Sequence, residues 1–306
     1  VQQTIRSAVT FSGIGLHSGA PATATILSAP ANHGIRFRRA DLAPGSPDIP
    51  ARWDAVTESR LCTVIAGPSG VSVSTVEHLM AALAGTGIHN ALVIVDGPEV
   101  PILDGSAMPF VRGLMSAGII AQGIPVRVLR VLAPVEVREG EARARLEPAS
   151  SLVIDFSIDF ADAAIGRQSK QLDMANGAFV HELMDSRTFC RESDVAAMRA
   201  AGLARGGSYE NAVVVSGARI ISPGGLRHED EPVRHKMLDA LGDLALAGGP
   251  VLGRYVGVRA GHALTNRLLR TLFATPGAVR WEDCAPAADG RLPGAGIGPD
   301  DLAPCA

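Results

Sequence analysis

The order of secondary structure along this chain repeats once, and that repeat narrows its architecture more than any other feature. In the first half, Thr4 to Phe11, Ala22 to Leu27 and Gly34 to Arg38 alternate apolar and polar residues between Gly, Ser, Pro and Asn turns, the period of half-buried strands. A helix is expected at Ser74 to Ala84, with Val76, Leu79, Met80 and Leu83 on its apolar face and a capping-box spacing from Ser74 to Glu77. A strand at Ala91 to Val95 and a helix at Met108 to Ser116 follow. The second half again opens on strands, at Val126 to Val137, Ala142 to Leu146 and Leu152 to Phe160. Helices at Gly177 to Asp185 and Ser193 to Ala201 and a strand at Ala212 to Val215 come next. The half closes with a helix at Pro232 to Gly248, a strand at Val251 to Val258 and a helix at His262 to Ala274. Ala117 to Pro125, with glycines and a proline between the periodic regions, reads as a junction. No residue-level repeat accompanies this order of elements. The expectation is an α+β protein of two similarly built domains, residues 1–120 and 126–274, facing each other across a cleft that holds the site. Residues 275–306, rich in Pro and Gly without a period, read as a poorly ordered tail.

Composition removes several classes. With 28 Lys and Arg against 31 Asp and Glu, the net charge is −3, and the two signs are interspersed, so a nucleic-acid binder is not expected. No apolar run approaches the ~20 residues of a membrane span. The apolar fraction of 47% fills two cores, and with aromatics at 4% those cores must be built from Ala, Val, Leu and Ile. Cys62, Cys190, Cys284 and Cys305 are scattered without C-x-x-C spacing, and read as free thiols in a reducing cytoplasm.

The sharpest chemical pattern lies in Pro232 to Gly248. As a helix it sets His235 and Asp239 one turn apart on one face, and Asp243 continues that stripe. An imidazole and a carboxylate so spaced suit a single divalent metal, although the wet face of an ordinary amphipathic helix has the same look. The helix in the corresponding place of the first half bears Glu77 and His78. His78, His235 and Asp239 together make the three-ligand set common in catalytic zinc sites, which leave a fourth position for water. Glu77 emerges about 100° round its helix from His78, a direction that suits a base beside that water and equally a helix-capping glutamate. His262 opens the last helix. A helix N-terminus lowers an imidazole's pKa and a carboxylate such as Asp243 raises it, so His262 reads either as an N-terminal feature or as a catalytic acid. His17, on the glycine-rich loop Gly13 to Gly19, is either a ligand contact or a solvated turn residue.

Longer motifs add to these readings. TVEHLMAALAGTGIHNALVIVDGPEVPILDGSA (Thr75 to Ala107), HEDEPVRHKMLDALGDLALAG (His228 to Gly248) and GHALTNRLLRTLFA (Gly261 to Ala274) carry a common likeness. So do GIGLHSG (Gly13 to Gly19), SRTFCRESDVAAMRAAGLARGGSYENAVVV (Ser186 to Val215) and DFSIDF (Asp155 to Phe160). Together they strongly resemble the zinc-dependent UDP-3-O-acyl-N-acetylglucosamine deacetylase family of lipid A biosynthesis, LpxC, over about Val1 to Ala274. The resemblance implies two α+β domains with their helices packed between the sheets. It implies a monomeric, cytoplasmic amidase of Gram-negative lipopolysaccharide synthesis, acting on a UDP-sugar with a fatty-acyl chain.

By position, the resemblance makes His78, His235 and Asp239 the ligands of Zn²⁺, or of Fe²⁺, since two imidazoles and a carboxylate suit either. It makes Glu77 the general base, Thr188 a donor to the oxyanion, and His262, oriented by Asp243, the transition-state stabiliser or acid. Lys236 and Phe189 fall at substrate-contact positions, Phe160 and Asp159 in the uridine-binding segment, and His17 and Arg259 near the phosphates. Leu61, Cys62, Met198 and Gly207 also fall at substrate positions, the last two within residues 191–208, an insert that lines the acyl-chain passage. An amphipathic helix on an ordinary core would show the same Val195, Met198, Ala200 and Leu203. Departures are modest: His228 and Pro232 stand where aromatics are usual, Cys190 where glycine is common, and Arg259 replaces a lysine, holding phosphate as a fork rather than a point charge. A zinc amidase on another acylated amino sugar, and a non-catalytic lipid- or nucleotide-binding protein of the same fold, are the competing readings.

Overall fold

The computed structural model describes residues 1–58 and 61–302 and has a mixed α+β fold of several sheets and few helices. A five-stranded sheet is built from the first half, in the spatial order Val9–Ile14, Pro21–Ser28, Ala91–Val95, Ile35–Arg39, Ile49–Pro50. Two helices accompany it, α1 (Glu77–Gly85) and α2 (Met108–Ser116). The Gln3–Ile5 strand pairs antiparallel with Ile119–Ala121, so the stretch expected as a plain junction carries a strand of its own.

A seven-stranded sheet is built from the second half, around the central strand Val251–Val258. That strand pairs antiparallel with Ala142–Glu147 and parallel with Leu152–Asp159, and its first two residues pair parallel with Arg127–Val131. Its helices are α3 (Ala178–Glu182), α4 (Glu192–Ala200), α5 (Glu231–Ala245), α6 (His262–Ala274) and the short α7 (Pro286–Asp289). Leu152, Ile154, Phe156 and Ile158 alternate inward along their strand and give α5 an apolar bed. Packed against α5 are α1 and α6, so the helices of both halves meet between the sheets. The approach of α1 to α5 is close enough that a Cβ on Gly242 would collide with the Glu77 carbonyl oxygen. Glycine at position 242 is what lets the two helices touch.

Three expectations need correction. The helix expected at Ser74 begins at Glu77, and no side chain caps it. Ser74 ends the strand Ser72–Ser74 and gives its hydroxyl to the Pro98 carbonyl, while Thr75 turns the chain with φ of 58°. The strand expected from Thr4 to Phe11 is broken at Arg6, and Gly13 extends the second piece, Val9–Ile14, rather than ending it. The tail is not loose over its described part: Val279–Asp283 pairs antiparallel with Arg127–Val131, and Leu292 is buried. Val279 and Trp281 alternate with charged residues there, a strand pattern masked by the surrounding Pro and Gly. Residues 303–306, including Cys305, lie outside the described residues. No helix of the described residues is long and apolar enough to cross a membrane.

Candidate active site

The chain brings His78 from α1 and His235 and Asp239 from α5 into one buried cluster, with their ligand atoms all within 4.8 Å of one another. Asp239 Oδ1 lies 3.3 Å from His235 Nε2 and 3.5 Å from His78 Nε2. Ligands about 2.0–2.1 Å from a tetrahedral zinc stand about 3.3–3.4 Å apart, so these separations match the edges of such a tetrahedron. The outer nitrogen of His235 faces the Ser186 carbonyl at 3.0 Å; donating there leaves Nε2 with its lone pair inward, the tautomer a metal needs. Five buried side-chain polar atoms of the described residues have no hydrogen-bond partner. Four belong to this neighbourhood: His17 Nε2, His78 Nδ1, Ser186 Oγ and Asp239 Oδ1. Buried polar atoms are rarely left so. The donor set and its orphaned carboxylate oxygen fit a divalent cation.

Electrostatics sort the ionisable groups. Burial outweighs Asp239 at His235 and lowers its pKa to about 4, keeping it a neutral imidazole. Burial also opposes the charge of Asp239, but His235, Lys236 and His262 together hold its pKa well below the ordinary value. Glu77 is buried, and desolvation raises its pKa despite His262 and His78. For His262, burial is overcome by Asp243, Glu77 and Asp239, which lift its pKa to about 9. Its Nδ1 meets Asp243 Oδ2 at 2.8 Å, and its Nε2 lies 3.8 Å from both Glu77 Oε1 and Asp239 Oδ2. The carboxylates prevail over the position of His262 at the first residue of α6.

Two residues that sequence reasoning missed organise this cluster. Thr63 donates its backbone N–H to Glu77 Oε2 at 2.9 Å and its hydroxyl to Asp243 Oδ1 at 2.6 Å, tying the carboxylate of α1 to the partner of His262. Glu99, buried, accepts from the backbone N–H groups of His17 and Ser18 and from the Thr75 hydroxyl, at 2.8, 2.9 and 3.0 Å. It thereby joins the His17 loop to the strained residue two places before Glu77. A Cβ on Gly15 would collide with this carboxylate. Glu99 sits in the turn Asp96-Gly97-Pro98-Glu99, which reads as an ordinary surface turn.

The other candidate residues fall as follows. Phe160 and Phe189 stack edge to face at 5.4 Å, and Phe189 lies 6.3 Å from the His235 ring. Asp159 is paired with Arg259 and both are exposed. Lys236 donates to Asp239 Oδ2 at 2.6 Å, and that carboxylate raises its pKa against burial. His17 faces the backbone N–H of Ala204 through Nδ1, and burial lowers its pKa, with Glu99 opposing and His262 and His78 adding to the effect. It is not a solvated turn residue. Gly207 belongs to the turn after Ala204, whose neighbour Gly206 donates to the Leu16 carbonyl. Met198 is half-buried on α4, a helix with no fully buried residue. The Thr188 hydroxyl makes no hydrogen bond with the described residues, although its backbone is held by Gly105 and Val213. Leu61 is exposed and Cys62 buried, immediately before Thr63, and no disulfide joins the described cysteines.

The family model described as LpxC, UDP-3-O-acyl N-acetylglycosamine deacetylase, matches residues 2–274. Curated relatives named UDP-3-O-acyl-N-acetylglucosamine deacetylase align over nearly the whole chain. That of Phenylobacterium zucineum is 50% identical over 279 residues, covering 91% of this chain and 95% of its own. That of Anaeromyxobacter sp. is 49% identical, covering 91% and 90%, and that of Shewanella sp. 46% identical, covering 92% of each.

Proposed function

The chain belongs to the UDP-3-O-acyl-N-acetylglucosamine deacetylase family, and on that premise we propose that it hydrolyses the N-acetyl amide of UDP-3-O-(3-hydroxyacyl)-N-acetylglucosamine, giving acetate and the free amine, in lipid A biosynthesis. The observation that carries this reading is the buried cluster in which Asp239 Oδ1 stands 3.3 and 3.5 Å from two imidazole nitrogens, beside a buried glutamate whose pKa desolvation raises. His78, His235 and Asp239 would hold Zn²⁺ or Fe²⁺, which when bound supplies Lewis acidity toward the amide carbonyl and toward water.

The remaining work falls to the chain's own side chains. Glu77 is the general base: Thr63 occupies Oε2, Oε1 stays free to take a proton, and desolvation makes the carboxylate a better proton acceptor than an exposed one. His262 is charged near neutral pH, and Asp243 fixes its ring so that Nε2 faces the cluster, where it opposes the negative charge of a tetrahedral oxyanion or protonates the departing amine. Thr188 offers its unoccupied hydroxyl as a second donor. Phe160 and Phe189 give the substrate an aromatic wall, and Asp159, Arg259, Lys236 and His17 provide polar contacts for the nucleotide end. Met198, with Gly207, Leu61 and Cys62, borders the route for the acyl chain.

Acetate release from the UDP-acyl-sugar, after chelation and after reconstitution with Zn²⁺ or Fe²⁺, tests this reading. Activity should disappear on chelation and return with metal, and substrates lacking the UDP or the acyl chain should be poor. Equal turnover of an acylated amino sugar without UDP would refute the substrate assignment.

A further inference from the structure

The carbonyl that faces His235 belongs to a peptide group gripped from its other side. The Ser186 carbonyl lies 3.0 Å from His235 Nδ1, and the N–H of the same peptide, on Arg187, donates to Glu231 Oε1 at 2.9 Å. A trans peptide is planar, with its N–H and C=O pointing opposite ways, so a donor held at one edge fixes the acceptor at the other. Glu231 is the first residue of α5 and stands one helical turn before His235 on the same face. The peptide therefore bridges two side chains of one helix. Glu231 is 1% exposed and accepts three more hydrogen bonds, from Arg187 Nε at 2.9 Å, Arg187 Nη2 at 3.1 Å and the Arg227 N–H at 2.7 Å. The Arg187 guanidinium, itself buried, also donates to the Gly225 carbonyl at 2.7 Å. Burial works against the charge of Glu231, yet the Arg187 side chain and the two backbone N–H groups hold its pKa below the ordinary carboxylate value. The next two peptides are held as well: the Thr188 N–H donates to the Gly105 carbonyl, and the Thr188 carbonyl accepts from the Val213 N–H, each at 2.8 Å.

A buried ion pair is a poor way to fill space, since apolar residues of similar volume often stabilise a core as well or better. What apolar residues could not supply here is an acceptor for the Arg187 N–H. With that acceptor gone the peptide is free to turn, and the Ser186 carbonyl is free to leave Nδ1. His235 then has a competing place for its proton, because Nε2 lies 3.3 Å from Asp239 Oδ1, a carboxylate oxygen that would accept it. A proton on Nε2 would occupy the lone pair that a metal needs. We propose that Glu231, braced by Arg187, is a positioning residue for the metal site: by fixing the peptide between Ser186 and Arg187 it keeps the His235 proton on Nδ1 and leaves Nε2 as the metal's donor atom. This rests on the metal site proposed for His78, His235 and Asp239. Glu231 itself bonds to Arg187 and Arg227 and acts on that site only through the peptide.

The experiment measures zinc affinity of the full chain by competition with a chelator, and reads the His235 ring nitrogens of the metal-free chain by nitrogen NMR. The variants are Glu231→Gln, Arg187→Met and Arg234→Met. Glu231→Gln keeps the side chain's shape but turns an NH2 group toward one of the two donor pairs. It should lower zinc affinity about 10–100-fold, the cost of disturbing an outer-shell partner, and move His235 proton occupancy from Nδ1 toward Nε2. Arg187→Met removes the guanidinium and leaves the backbone N–H, so it should shift both readouts the same way by less. Arg234→Met is the structural control: it breaks ion pairs to Asp230 and Glu182 around the first turn of α5 without touching the peptide, and should leave zinc affinity unchanged. If Glu231→Gln does not fold, Arg187→Met carries the test and must lose more affinity than Arg234→Met. A parent chain that binds no zinc would refute the metal site, while the ring nitrogens of the metal-free chain would still decide the tautomer. The proposal is overturned if folded Glu231→Gln binds zinc as the parent does, if Arg234→Met matches its loss, or if its His235 keeps the proton on Nδ1 as fully as the parent.

Discussion

The two ends of the α1/α5 pair are built from the same two helices and differ in almost every physical respect. At one end the side chains are acidic and imidazole-bearing: Glu77, Asp239 and Asp243 surround His262 and lift its pKa to about 9. At the other end the lining has arginines and no carboxylate, and half-buried His89 has a pKa lowered to about 4, chiefly by desolvation and against the opposing pull of Asp289. Two histidines near the same helices are thus set about five units apart. Burial lowers both, and the three carboxylates Asp243, Glu77 and Asp239 overcome it at His262 where Asp289 alone does not at His89. The first end is crowded with unpartnered buried polar atoms, and the second is lined by exposed arginines over fully packed aliphatic side chains. The comparison teaches that the helix pair is a shared frame, and that chemistry is assigned to its ends by the charged residues placed round it.

The largest expected effect separates the ends by function. Glu77→Gln should lower turnover by about 10²–10⁴-fold, the range of general-base catalysis, while metal content stays intact. Turnover within tenfold of the parent would remove Glu77 from the base role. Gly242→Ala should act on the frame itself: a methyl against the Glu77 carbonyl forces α1 from α5, with a stability loss of about 3 kcal/mol in urea unfolding and a fall in turnover together. Unchanged stability would mean that the helices tolerate separation.

At the arginine end, His89 makes stability depend on pH. The unfolded chain protonates His89 as pH falls through about 6.5, and the folded chain only near 4. Its contribution is therefore neutral above about pH 6.5 and grows to a penalty of at most about 3 kcal/mol as pH falls to about 4. His89→Gln, which keeps an acceptor for the Gln3 N–H, should flatten that acid slope relative to the parent protein. Parallel slopes would assign the acid loss to other groups. The smallest effect belongs to the link between Glu77 and Asp243. Thr63→Val keeps the backbone bond to Glu77 and removes the hydroxyl from Asp243, so turnover should fall by about tenfold with unchanged metal content, as one hydrogen bond to a charged group is lost.

The pieces of the site that were legible in the sequence are those fixed by local geometry. His235 and Asp239 share a face because an α-helix turns once in 3.6 residues, and Glu77 and His78 diverge because they are neighbours on one. The element order was legible for the same reason, since helix and strand periods are local. What escaped is held by contacts distant in sequence. Thr63 meets Asp243 across 180 positions and Glu99 meets His17 across 82; Thr63 lies in none of the quoted motifs, and Glu99 lies within Thr75 to Ala107 with no local spacing that shows its partners. The start of α1 was misjudged because Ser74 spends its hydroxyl on Pro98, and Glu99, not a cap, holds Thr75. The strand Val279–Asp283 was passed over because its alternation is short and its value lies in an edge offered by Arg127–Val131.

The central claim is that His78, His235 and Asp239 are one metal site at the carboxylate-rich end of the helix pair. The most direct test is the metal content of the purified chain after chelation and exposure to Zn²⁺, measured by elemental analysis alongside His235→Ala and Asp239→Ala. The account predicts about one equivalent in the parent, and in each variant a loss of affinity beyond the 10–100-fold typical of disturbing an outer-shell partner. Full occupancy in both variants would contradict it.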